Sequence, residues 1–319
     1  MTELPDGLVL RAVRADELPA CADVWRAGLD GYGPRVGRPP MIATTGPIVA
    51  LLAHLRATDP DRFLVAVRPE AGGAGRIVAF ASASRREHVW FLGMLFVHPD
   101  EQERGLGRAL LEAVLPAGDD PVTLATCTDA AQPISSALYA RYGLVPRLPV
   151  LELVGRPDRA GPAALPGGVR AVPFELLAAG PTDGPGSRRL AAALDALDRA
   201  ALGFAHPQDH AYLAETGRLG NLYEAGDGRI VGYGYVSPVG RIGPLAVEDA
   251  TLLPGVLGHL LGAVQPAGVF SAWVPGAAGA AITSLLDAGL RVEDFPALLC
   301  WDRPFADFSR YVPITLAIL

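Results

Sequence analysis

The sequence predicts a mixed α/β fold written twice in tandem. Three observations carry this: helical and strand patterns intermingle along the first 155 residues, parts of that stretch return further on, and a turn-rich segment separates the two. The 319 residues exceed the roughly 100 to 200 of one ordinary domain. Half of them are hydrophobic and 19% are charged, so there is apolar surface enough for a packed core, the opposite of a disordered composition.

In the first half, residues 18–29 and 48–58 space their apolar side chains with helical period. Residues 63–67 and 77–84 read as strands on either side of a glycine-rich turn at 71–75. Residues 89–97 form an apolar run too short for a membrane and rich in aromatic and aliphatic side chains, which predicts a central strand buried on both faces. Residues 106–115 predict a helix, 122–127 a strand, and 133–142 a helix closed by Gly143 as a left-handed cap, with a last strand beyond.

The repeat shows in short echoes. Val9-Leu10-Arg11-Ala12-Val13 returns in Gly168-Val169-Arg170-Ala171-Val172, and Gly75-Arg76-Ile77-Val78-Ala79-Phe80 in Gly228-Arg229-Ile230-Val231-Gly232-Tyr233, an offset of 153 residues. Residues 95–97 and 110–114 align with 245–247 and 260–264 at an offset of 150. Residues 154–168, full of Gly and Pro, form the linker, so the domains are expected at 1–155 and 165–319.

Composition excludes several chemistries. The net charge is −7 and all 27 basic residues are Arg, so neither a lysine Schiff base nor a phosphate-loop lysine exists. An acidic balance without a basic run predicts no nucleic-acid partner. Cys21, Cys127 and Cys300 are odd in number and far apart, which fits neither a disulfide framework nor a zinc knuckle. With residues 1–11 acidic where a signal peptide would be basic and then apolar, a cytoplasmic location is expected. Residues 250–286 are nearly free of charge, but Pro254, Pro266 and Pro275 and six glycines interrupt them, so no membrane association is expected.

The chemistry is concentrated in Val97-His98-Pro99-Asp100-Glu101-Gln102-Glu103-Arg104-Gly105-Leu106-Gly107-Arg108. A strand, a tight loop and a helix start bring free backbone N–H groups toward an anion, and Gly105 and Gly107 let a diphosphate approach the main chain. Arg104 and Arg108 add positive charge.

From Gln102 to Gly107 the segment resembles the acyl-CoA signature Q/R-x-x-G-x-G/A of the GCN5-related N-acetyltransferases, the GNAT family, with Val97 and Pro99 upstream. Residues 137–146, Ala-Leu-Tyr-Ala-Arg-Tyr-Gly-Leu-Val-Pro, resemble the family's LY-x-x-x-GF-x-P helix end. The resemblance implies two tandem domains, each a mixed, mostly antiparallel central sheet flanked by helices. It also implies direct transfer of an acetyl group from acetyl-CoA, a co-substrate, to a primary amine; a small-molecule acceptor is expected, with antibiotic, polyamine, amino acid and protein N-terminus all left open. It assigns the diphosphate to Gln102, Glu103, Arg104, Gly105, Leu106, Gly107 and Arg108, and the pantetheine arm to the backbone of Leu95, Phe96 and Val97 by strand addition. Tyr139 becomes the acid that returns a proton to the departing thiolate. Gln132 stands where the family often has an Asn. The general base is Glu87, His88 or a bound water, and the loop at residues 32–40, with Tyr32 and Arg35, belongs to the acceptor wall. The alternative is an acyl-CoA sensor or scaffold without turnover.

The second half departs from the motif. Leu252 stands opposite Gln102, Pro254 opposite Arg104, Gly255 opposite Gly105, Leu257 opposite Gly107, Gly258 opposite Arg108 and Leu285 opposite Tyr139. Pro254 lacks an N–H and Leu257 adds bulk, so this copy is expected to keep the fold without the chemistry. His206 and His210 are four apart, half of a metal site if they share a helix, but Pro207 places His206 outside it and no third ligand is in view; no metal is expected.

Overall fold

In the computed structural model, the helical spacing of the first half becomes α1 (Leu18–Tyr32) and α2 (Gly46–Thr58), both with Pro in the first turn, where a missing N–H costs nothing. All residues are described except 1, 4–6, 38–43, 71, 72, 74, 119, 158–162, 180 and 182, so much of the glycine-rich turn, of the linker and of the loop after α1 lies outside the described residues. The chain packs as two units, residues 1–126 and 127–319.

The first unit holds a sheet ordered β1 (Thr2–Glu3), β2 (Val9–Ala12), β3 (Phe63–Arg68), β4 (Arg76–Arg86), β5 (Val89–Val97) and β6 (Thr123–Asp129), whose last residues enter the second unit. Its neighbours run antiparallel except β5 and β6, which are parallel. α1 and α3 (Leu106–Val114) pack on β4 and β5. Fully buried Phe63, Phe80, Trp90, Leu110 and Leu111 lie at the centre, and the Trp90 indole donates to the Val114 carbonyl at 3.1 Å, satisfying its one polar group. Buried Asp59 accepts from Arg86 at 2.7 Å and from the Arg85 amide at 3.0 Å, which pins the β4–β5 hairpin.

β5 is buried through Leu92 and half-buried over its last three residues. The sequence reading made it buried on both faces throughout. The difference arises because β6 pairs only with Val89–Leu92, so the rest of β5 loses its neighbour.

The second unit contains α4 (Pro133–Ala140) and β7 (Val145–Gly155), then a second run of the same order: β8 (Val169–Pro173), α5 (Phe174–Leu177), α6 (Pro185–Leu202), α7 (Pro207–Glu215), β9 (Leu219–Ala225), β10 (Ile230–Val236), β11 (Ile242–Val247), α8 (Leu253–Ala263), β12 (Phe270–Pro275), α9 (Gly279–Asp287), β13 (Arg291–Trp301) and β14 (Tyr311–Val312). β14, β11, β10, β9 and β8 form one antiparallel sheet. β7 lies between β13 and β12, antiparallel to both. The domain boundary expected at 155/165 and the packing division at 126/127 differ for a physical reason: β7 ends the first sequence echo but spends both of its edges on β12 and β13. Among the described residues no helix is long and apolar enough to cross a membrane.

Candidate active site

The site is built on the second half of β5. The β4–β5 register shifts between Ser82 and Ala83, which leaves Gly93 as an extra residue, a bulge that turns the strand. Beyond it, Leu95, Phe96 and Val97 pair with Ala81, Phe80 and Ala79 on one side only. The opposite edge offers alternate N–H and C=O groups to an extended amide-containing ligand. Phe96 stacks on Phe80 with ring centroids 5.6 Å apart, and a Cβ at Gly28 of α1 would sit 3.2 Å from the Phe96 ring. A side chain at Gly31 would press on Pro99, so α1 keeps glycine where it meets the loop after β5.

That loop is held from beneath. Glu101, 5% exposed, accepts from Arg68 at 2.9 and 2.6 Å, from Arg76 at 3.3 Å and from Arg104 at 3.0 Å. The hydrogen bond from Arg68 holds its carboxyl below the ordinary glutamate range against the upward pull of burial. Glu101 braces this loop through arginines distant in sequence, a role that spacing alone does not reveal. Gln102 Nε2 donates to the Val97 carbonyl at 3.0 Å and so ties the loop to the strand end.

Glu103 (φ 66°) and Gly105 (φ 77°) both take left-handed backbone, which reverses the chain twice before α3. Gly105 is the N-cap of α3, and its carbonyl accepts from Ala109 at 3.1 Å to close the first turn. The amides of the first turn have no partner within the helix and carry the positive end of its dipole. Space beside Gly105 is open, since a Cβ there would meet nothing within 4 Å. A helix start with open room and turned backbone fits a diphosphate.

The structure thus brings Leu95, Phe96, Val97, Gln102, Glu103, Arg104, Gly105, Leu106, Gly107 and Arg108 into one strand, loop and helix start. Gln102, Glu103, Arg104, Gly105 and Arg108 are exposed, whereas the Leu106 side chain is buried, so only its main chain is available to a ligand. Glu87 is not brought there. It lies exposed in the β4–β5 turn with φ 46°, at the opposite end of β5 from Val97, and beside it His88 is exposed too. The length of an extended nine-residue strand, about 3.3 Å per residue, separates that turn from the loop. In the second unit Gln132 is the N-cap of α4 through its carbonyl, which accepts from the Ser136 amide at 3.3 Å. Tyr139 lies on α4 and is 5% exposed, and burial pushes its phenol above the ordinary tyrosine range. Gly143, φ 82°, ends the turn, with the Leu144 amide on the Tyr139 carbonyl at 3.1 Å. Tyr32 ends α1 and Arg35 follows in a short 3-10 turn.

Residues 38–144 match the model of the acetyltransferase (GNAT) family. Over those residues the chain is similar to the domain of that family. The whole fold is similar to solved structures of low identity. A candidate acetyltransferase from Pyrococcus horikoshii is 15% identical with a TM-score of 0.74, over 100% of this chain and 98% of its own. A GCN5-related N-acetyltransferase from Sphaerobacter thermophilus is 22% identical with a TM-score of 0.60, over 96% and 99%. A tandem GNAT protein from the clavulanic acid biosynthesis pathway is 19% identical with a TM-score of 0.55, over 93% and 99%. No curated protein matches in sequence.

Beyond the matched residues, the corresponding places of the second copy are filled by the chain itself. β11 carries Leu245, Ala246 and Val247 where β5 carries Leu95, Phe96 and Val97, and β14 pairs with it at Leu245 and Ala246, while the Val247 amide donates to the Arg310 carbonyl at 3.1 Å. At the start of α8, a Cβ on Gly255 would lie 2.9 Å from the Ala164 carbonyl and one on Gly258 would run into that of Ala163, so the linker covers this helix face. One expectation is corrected here. His206 and His210 do have a third donor nearby: Asp198 of α6, eight residues before His206, a separation whose meaning only the α6–α7 turn reveals.

Proposed function

We propose that the protein is an acyltransferase that moves an acetyl group from acetyl-CoA to a primary amine of a small-molecule acceptor. The observation that carries this reading is the continuity, within one unit, of the free β5 edge after Gly93 with the twice-turned loop and the start of α3. When bound, acetyl-CoA supplies a thioester, an acyl group activated toward amines. The β5 edge at Leu95–Val97 aligns the amide-bearing arm, and the loop amides and the α3 dipole hold the diphosphate. Arg104 and Arg108 supply cationic charge at the loop rim, Arg104 while already bound to Glu101. A backbone N–H near Leu95 polarises the carbonyl under attack. Tyr139, kept protonated by its buried setting, gives a proton to sulfur as the C–S bond breaks, while the proton that the nitrogen loses on forming the C–N bond passes to water, which restores the phenol. Glu87 has no part in this scheme, because its turn lies at the other end of β5.

The test is release of free thiol from acetyl-CoA with a panel of primary amines, together with mass analysis of the acceptor. Thiol release that depends on the amine and a product heavier by one acetyl group are expected. Tight CoA binding with no acceptor-dependent release would instead make the protein an acyl-CoA sensor.

A further inference from the structure

We propose that the second copy holds a divalent metal ion, zinc in the first instance, between Asp198, His206 and His210. Asp198 lies on α6, His206 is the N-cap of α7, and His210 stands one turn further along α7. Asp198 Oδ2 is 2.9 Å from His210 Nε2 and 3.3 Å from His206 Nε2, and one ligand atom from each residue lies within 4.8 Å of the others. A tetrahedral zinc with bonds of about 2.0 Å sets its donors roughly 3.3 Å apart. The separations of 2.9 and 3.3 Å are close to that.

The surroundings match as well. Each donor has its other polar atom beside an outer partner. The Tyr233 hydroxyl donates to Asp198 Oδ1 at 2.6 Å, the Tyr235 hydroxyl is 2.9 Å from His210 Nδ1, and Asp209 Oδ2 is 3.6 Å from His206 Nδ1. Outer partners of this kind aim a coordinating imidazole and set its tautomer. The Tyr311 hydroxyl of β14 is buried beside Tyr233, with Asp198 and Asp209 among its electrostatic neighbours, and a water would complete the fourth position.

Charge and donor type select the ion. Asp198 and Asp209 are two carboxylates inside the fold, 0% and 2% exposed, and a divalent cation balances them. Two imidazole nitrogens with one carboxylate oxygen form a borderline donor set, suited to zinc rather than to calcium or magnesium, which take all-oxygen shells. With His206 and His210 at 0% and 6% exposure, the ion would be a staple joining α6 and α7, held in place by outer partners from β10. Its binding energy would act as folding energy.

The full-length chain, purified without tag or chelator, is expected to carry about one zinc per chain by elemental analysis and to lose thermal stability on stripping. The stripped chain should take up Co²⁺ one to one with the visible absorption of a tetrahedral site. Asp198→Asn and His210→Gln should each lower bound metal at least about tenfold. Tyr235→Phe, which frees only the far nitrogen of His210, should weaken the affinity roughly ten- to hundredfold with the circular dichroism unchanged. A wild-type chain with less than about 0.1 zinc, no cobalt spectrum and a melting temperature unmoved by Zn²⁺ or chelator overturns the proposal. Full occupancy retained in both Asp198→Asn and His210→Gln overturns it too. Should those two variants fail to fold, the wild-type titration and Tyr235→Phe decide.

Discussion

Arg68 and Glu101 form a two-pronged ion pair beneath the loop that follows β5, with contacts of 2.9 and 2.6 Å. Arg76 and Arg104 meet the same carboxylate, so one buried acid fixes β3, β4 and the start of the loop together. Glu101→Gln should cost about 1–2 kcal/mol of stability, less than a fully buried pair because its arginines are partly solvated. It should also weaken CoA binding several-fold by isothermal calorimetry.

The same pair sets a pH dependence. Because the folded-state pKa of Glu101 is lowered, its contribution is fully present above the unfolded value of about 4.3 and is lost as pH falls through the lower folded value. The melting-temperature gap between wild type and Glu101→Gln should therefore be widest near neutrality and shrink below pH 4. A gap that stays constant into acid would show that the ion pair does not stabilise the loop.

Gly105 and Gly107 should separate conformation from space. Gly105→Ala puts a Cβ on left-handed backbone in open room and should cost about 1–2 kcal/mol in melting experiments. Gly107→Leu lies within α3, on backbone that is not left-handed, and should lower CoA affinity at least about a hundredfold while the circular dichroism stays that of the folded chain. Normal CoA affinity in that variant would remove the diphosphate from the loop.

Tyr139→Phe should reduce kcat by about 100-fold or more while the CoA dissociation constant stays within twofold. An unchanged kcat would leave the phenol as a packing group.

Much of this was legible in the sequence, and the exceptions share a cause. Residues 97–108 announce their strand, loop and helix locally, and the offset echoes announce the duplication, because both depend on neighbours along the chain. Glu101 looked like one of several loop acids: the arginines that bury it, Arg68 and Arg76, arrive from β3 and β4. Glu87 looked close to the central strand, and it is, but at the wrong end, which spacing alone does not distinguish. Asp198 went unnoticed beside His206 and His210 because a helix and a turn must fold back before the three meet.

A chain cut after Gly155 keeps the entire first sequence copy, yet it should not fold cleanly. β7 would lose β12 and β13 on its two sides, and unpaired strand edges recruit other chains. Size-exclusion chromatography should show aggregates where the intact chain elutes as a defined species.

The intact chain should bind one CoA by calorimetry, because β14 occupies in β11 the edge that β5 leaves free. That pairing also imposes an order of events during synthesis. Arg310–Val312 follow β11 only after α8, β12, α9 and β13 have been made, so β11 must wait, bare along one side, for its closing strand. The nascent protein is then most vulnerable to sticking to its siblings while β11 is made and β14 is not.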